Sequence, residues 1–275
     1  MGIRGRGSLS SGKSFALALV VGLGLVAWSA PAAAYRPFDG TDAAVAGQGE
    51  VEVELQPAGW LRTGPQSAAL VAPFVVFNYG FADRWEVVLQ SEMLSPTIGD
   101  GPPSIVANGA FLKYVILPGS LQEGHSGISI ATEFGPLLPG INADRGTGFQ
   151  WAGIVSQRWD WGSAHFNVEA NLTRDQHGEA FTSIILEGPF SWKVRPVAEI
   201  FYDKVWTLTE TKSVLLGAIW QVDKDLSFDA AFRYATMNGH AVNEIRAGLT
   251  FAFKEEGDKT PMKPGVTFSN WGLSR

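Results

Sequence analysis

From Glu50 to Phe253 apolar and polar residues take turns in short runs, and each run stops near a Gly, Pro, Asp or Asn. A period of two sends successive side chains to opposite faces of a β-strand. In the last run Ile245, Ala247, Leu249, Phe251 and Phe253 share one face, while Glu244, Arg246, Gly248 and Thr250 share the other. The run before it sets Leu226, Phe228, Ala230, Phe232 and Tyr234 against Ser227, Asp229, Ala231 and Arg233. Twelve such segments are legible, near 50–62, 67–79, 84–94, 105–116, 127–137, 148–159, 163–174, 179–191, 193–206, 212–222, 225–236 and 242–253. None carries a helical period, so the chain is expected to be all-β.

Alternation alone leaves two architectures open. In a soluble sandwich the apolar face is the core and the charged face meets water; in a membrane barrel the apolar face meets lipid. Three features favour the barrel. The composition combines 32 Gly, 10 Trp and 17 Phe with only 17% charged residues. Trp60, Phe81, Trp85, Trp151, Trp159, Trp161, Trp192, Trp206 and Phe253 lie near strand ends, where amphipathic rings sit at headgroup level. Connections alternate in length: Gly80 to Asp83, Asp160 to Gly162 and Asp223-Lys224 are tight, whereas Ser95 to Ser104, Leu138 to Thr147 and Trp206 to Lys212 are long. Pro118 to Ser126 and Met237 to His240 depart from that alternation. The expected fold is a closed antiparallel transmembrane β-barrel of about 12 strands, with a soluble exported sandwich as the rival.

The ends read differently. Arg4, Arg6 and Lys13, the apolar run Phe15 to Trp28 and the small residues Ala32-Ala33-Ala34 predict a signal peptide over 1–34, cleaved before Tyr35. Residues 35–49 are expected to enter the lumen or lie in the periplasm, with Asp39 and Asp42 as turn residues or ligands; residues 50–253 form the barrel, and 254–275 a polar tail. Without the leader, 18 basic residues stand against 27 acidic ones, which argues against nucleic acid as a partner. The absence of Cys excludes a disulfide scaffold and thiolate metal sites.

If apolar faces meet lipid, the charged positions face inward. Glu50, Asp229 and Glu244 belong to that set, and the expected solute path is lined by Glu52, Glu54, Glu86, Glu92, Glu133, Arg158, Glu169, Arg195, Glu199, Arg233 and Arg246. Enclosed charges are costly unless paired or wet, so the lumen must hold water, a dense ion-pair network, or both. Carboxylate rings favour cations or neutral polar solutes over anions. The competing reading is a closed barrel whose charges pair and fill it. Loops 95–104 and 138–147 are the expected gates. Closure must set the first strand beside the last, with an expected ion pair between Arg246 and one of Glu50, Glu52 or Glu54.

Catalytic signatures are sparse. The glycines form no phosphate-cradling run, and His125, His165, His177 and His240 have no metal-ligand spacing and read mostly as surface residues. No cofactor, metal or enzymatic activity is therefore expected. The rival from another class is an outer-membrane lipase or acyl hydrolase using Ser156 with His165 and Asn167 across one hairpin, but the surrounding motif of such lipases is missing.

Arg36-Pro37-Phe38, Asp39 to Asp42 and the Gly47 to Leu55 stretch, then Asn78 to Glu86 and Gln221 to Asp229, together resemble a family of bacterial outer-membrane proteins labelled as meta-pathway phenol-degradation or transporter proteins. The resemblance covers about residues 36–253. It implies an outer-membrane barrel of a diderm bacterium that moves small solutes, aromatic or hydrophobic compounds among them. Its implied partners are outer-membrane lipids, the solutes themselves and the barrel-assembly machinery. Outer-membrane barrels often end on the aromatic residue of the last strand, whereas here Phe253 is followed by 22 further residues.

Overall fold

The structure, a computed structural model, describes residues 36–122 and 125–254. Twelve strands form one sheet: β1 Glu50–Gly64, β2 Ser67–Ala82, β3 Trp85–Ile98, β4 Ser104–Leu117, β5 Ser129–Leu137, β6 Gly148–Trp159, β7 Gly162–Leu172, β8 Gly178–Glu187, β9 Val194–Val205, β10 Thr209–Gln221, β11 Leu226–Met237 and β12 His240–Lys254. Each pairs antiparallel with its sequence neighbours, and β1 pairs with β12, which closes the barrel. Closure leaves no unpaired edge, a requirement for any sheet that crosses hydrocarbon. The predicted signal peptide and nearly all of the predicted tail lie outside the described residues.

Polarity is inverted across the wall. The outward residues Leu216, Ile245 and Phe232 are 62%, 53% and 49% exposed, whereas the inward Glu54, Glu86 and Glu199 are each 1% exposed. A Leu or Phe left in water forgoes roughly 1.5–3 kcal/mol of burial. Rings of them around the whole circumference therefore require an apolar surrounding, and the barrel is a transmembrane one. Phe228 and Phe232 pack against no second sheet, which disposes of the sandwich. Aromatics gather at both rims. Trp159 and Trp161 stack at 4.9 Å beside one tight turn, and Trp192, Trp206 and Trp220 are also exposed near strand ends.

The two irregular connections have local causes. The stretch after β4 folds into a 3-10 turn, Gly119–Leu121, and tucks beneath the barrel, where Leu121 packs on Ala43, Ala131, Ala152 and Ile154. Gly119 has φ +55°, and a Cβ there would strike the Ile128 carbonyl, so only glycine fits. Between β11 and β12 the turn is just Asn238-Gly239, both at positive φ, as a two-residue hairpin needs.

The closure pairing differs from expectation in register. β1 and β12 are neighbours, but Glu50, Glu52 and Glu54 lie opposite Lys254, Ala252 and Thr250, and Arg246 lies opposite Gly59. A bulge at Pro57-Ala58 puts both residues outward and shifts the ladder. With Glu54 already opposite Thr250, Arg246 is carried past the β1 carboxylates and pairs with Glu244 on its own strand.

Sidedness makes a direct prediction. Leu216→Arg, on the lipid face near the middle of β10, should cost roughly 2–4 kcal/mol of stability in lipid vesicles, measured by denaturant titration.

Candidate functional site

The stretch Arg36 to Ala46 lies inside the barrel and crosses it, and Gly47 to Gly49 turn at the rim into β1. The wall around it is rich in acceptors, and the segment answers with main-chain donors. Asp39 N–H and Gly40 N–H donate to the two carboxylate oxygens of Glu199 on β9, at 2.8 Å each. Thr41 N–H donates to Asn167 Oδ1 on β7 at 3.1 Å, and Asn167 Nδ2 returns a bond to the Thr41 carbonyl at 2.9 Å. Ala43 N–H donates to Ser156 Oγ on β6 at 2.9 Å, and Ala46 N–H to Glu86 Oε2 on β3. Hydrogen bonds to charged groups contribute about 1.5–3 kcal/mol each when enclosed, more than neutral ones.

Side chains complete the attachment. Asp39 receives Arg246 Nη2 at 2.8 Å and Arg233 Nη1 at 3.4 Å. Arg246 also reaches the Pro37 carbonyl at 2.7 Å. Arg36 donates to Gln56 Oε1 at 2.6 Å and stands 3.4 Å from Asp229. Lys113 on β4 faces Asp42 at 3.7 Å and donates to Thr41 Oγ1 at 3.3 Å. Burial pushes the Asp39 carboxyl up, but the guanidinium groups of Arg246, Arg233 and Arg36 outweigh it and hold it below the usual aspartate range. Asp39 is thus an ionised clasp. At Gly40 a Cβ would crowd the Ser183 hydroxyl and the Asn167 amide that holds Thr41, so glycine lets the backbone lie this close to the wall without displacing those side chains.

Beyond this segment, towards the β3–β4, β5–β6 and β7–β8 links, lies a cavity of about 560 Å³. Arg36 to Thr41 form its floor, and Phe74, Phe181 and Phe201 stand among polar groups on its walls. Twelve strands enclose more than an eight-strand barrel filled by side chains and less than a wide porin, so there is room for one peptide segment and a small vestibule.

The expected path residues are divided by this arrangement. Glu54, Glu133, Glu169 and Arg233 line the cavity. Glu86, Glu199 and Arg246 hold the segment. Glu52 lies buried on β1, and Glu92 on β3 sits in the electrostatic field of Glu244 and Arg246. Arg195 pairs with Glu187 at 2.9 Å, and Arg158 and Arg195 lie over the Phe190 ring at 3.9 and 4.6 Å, at the opposite end of the barrel from the cavity. Sequence reasoning missed Asn78, Lys113, Glu179 and Asp203, whose inward positions follow from the same alternation, and the wall-facing backbone of 39–46, which no side-chain pattern reveals. The expected loop gates touch through Asn142 Nδ2, which donates to the Pro103 carbonyl at 3.0 Å, and loop 138–147 is also held by Ile105 bridging Ile141 and by Arg174 donating to the Leu138 carbonyl at 2.6 Å.

His165 corrects the surface reading of the histidines. It is 2% exposed, with Nδ1 2.8 Å from Ser156 Oγ and Nε2 3.1 Å from Glu187. The third group is thus Glu187, and Asn167 is spent on Thr41. Ser156 Oγ accepts Ala43 N–H and is itself sealed at 1% exposure, so these three residues serve as an anchor for the segment.

No protein-family model matches the chain, and no curated protein sequence matches it. Solved structures do. A KdgM porin in complex with disordered oligogalacturonate superposes with a TM-score of 0.50 at 13% identity, over 74% of this chain and 99% of that one. The CymD monoaromatic hydrocarbon channel gives 0.41 at 9% identity, over 77% and 90%. An anion-selective porin from Comamonas acidovorans gives 0.39 at 6%, over 74% and 98%. The first of these likenesses shows the fold: the chain is an outer-membrane-type β-barrel.

The clasp is testable because the chain has no native cysteine. With Ala43→Cys as reporter, maleimide labelling in folded protein should be slow, and Gly40→Leu or Glu199→Gln should speed it by about tenfold or more, the equilibrium equivalent of losing one charged hydrogen bond.

Proposed function

We propose that this protein is an outer-membrane channel for small solutes whose lumen is closed at rest by residues 36–49. A single observation carries the reading: a polar vestibule of about 560 Å³ ends on a peptide segment attached to the wall by hydrogen bonds and ion pairs. A barrel meant only as a filled scaffold has no need of an open chamber above its filling. The segment contributes few apolar contacts, chiefly Ala43 against Ala131, Ala152 and Ile154. Water can replace most of its polar contacts, so withdrawal exchanges partners rather than opening a dry core.

The cargo is small and carries an apolar body. Phe38, Phe74, Phe181 and Phe201 give the vestibule flat apolar surfaces, and the resemblance to the phenol-degradation or transporter family points the same way. Location in the outer membrane of a diderm bacterium follows from the fold together with the export signal expected at residues 1–34. Insertion would then depend on the barrel-assembly machinery.

Planar bilayers test both the channel and the plug. The intact barrel should conduct poorly, and deletion of residues 36–46 should raise conductance several-fold. In a salt gradient the opened barrel should favour cations, and Glu133→Gln with Glu169→Gln should reduce that preference. Absence of conductance both before and after the deletion would establish the filled scaffold, and equal high conductance would overturn the plug.

A further inference from the structure

The vestibule wall is chemically lopsided in a way that closing a barrel does not require. Six carboxylates line it, against three guanidinium groups. The guanidiniums are all engaged: Arg36 with Asp229 and Gln56, Arg174 with two carbonyls, Arg233 with Glu244 and Asp39. Glu169, Glu179 and Asp203 form no ion pair among the described residues.

Strand register gathers these groups into one patch. Glu169 on β7 lies opposite Phe181 on β8, Phe181 lies opposite Asp203 on β9, and Glu179 lies opposite Asn171 on β7. Phe181 and Phe201 hold their rings 5.2 Å apart, beside the acidic groups. Three buried oxygens facing the chamber have no donor: Asp203 Oδ1, Asn171 Oδ1 and, across the lumen, Asn78 Oδ1. Asn78 is 1% exposed and spends its amide N–H on Glu54 at 3.2 Å, leaving its carbonyl oxygen open. The unmet oxygens outnumber the unmet donors of the lining, which are Arg36 Nε and Arg233 Nε, each on a guanidinium already beside a carboxylate. A buried acceptor without a donor is costly, so a ligand that brings N–H donors is favoured there over one that brings more acceptors.

Resting on the channel reading, we propose that the vestibule is a binding site for small organic cations, namely primary amines on an aromatic or short alkyl body. The ammonium group donates into the Glu179–Asp203–Asn171 cluster, and the body lies on Phe181 and Phe201, whose ring faces also attract positive charge. A carboxylate of the same shape meets like charge and is excluded, and a neutral alcohol keeps the ring contact and loses the charge.

Isothermal titration of the detergent-solubilised full barrel tests this with benzylamine, benzyl alcohol and benzoate. Benzylamine should bind at least about tenfold more tightly than benzyl alcohol, and benzoate should not bind. Glu179→Gln with Asp203→Asn should reduce benzylamine to the level of the alcohol, and Phe181→Leu with Phe201→Leu should weaken both. Heat-modifiable gel migration confirms that each variant is folded. The site is refuted if amine and alcohol bind alike, if neither binds, or if the acidic variant keeps the amine preference. A barrel that conducts after deletion of 36–46 yet shows no amine preference defeats this site alone. One that prefers the amine yet never conducts defeats the channel and leaves the site standing.

Discussion

A lumen wall with too many acceptors governs the structure. The outer face of each strand is committed to lipid, so carboxylates and amides collect inside, where lone pairs need donors. The main chain of residues 39–46 supplies them, with N–H groups directed at Glu199, Asn167, Ser156 and Glu86. The segment reads the wall with its backbone and needs side chains chiefly at Arg36, Asp39 and Asp42. Glycine at position 40 permits the closest approach.

Strand count, strand faces and closure were readable in the sequence because they depend on a local period of two. Glu54, Glu86 and Glu199 point inward for the same reason that Leu216 and Ile245 point outward. The register of β1 on β12 was not readable, because it is set across the closure and not by the period within either strand; Pro57, which has no N–H for a ladder, was the one local sign of the bulge. Arg246 pairs with Glu244 and Asp39 because the ladder that sets Glu54 opposite Thr250 carries Arg246 past the β1 carboxylates, with or without the bulge.

The site was legible in part. Alternation found the acidic lining, but it could not distinguish residues that face the chamber, such as Glu133 and Glu169, from residues that grip the inner segment, such as Glu86 and Glu199. That distinction depends on where a stretch without strand periodicity comes to rest. Ser156 and His165 show the converse: two residues that suggest hydrolysis on paper sit, in the fold, beneath Ala43 as part of its support.

The contrast between wall and filling has a thermodynamic consequence. The wall is bound by a continuous ring of backbone ladders, so it can only come apart as a whole. The inner segment touches six or more strands, but through contacts that solvent can imitate. The two therefore belong to separate cooperative units, and the segment occupies the lower rung of local stability. Such a molecule is mechanically a rigid sleeve around a separately held lining, and the sleeve's own ladders do not depend on the lining for their closure.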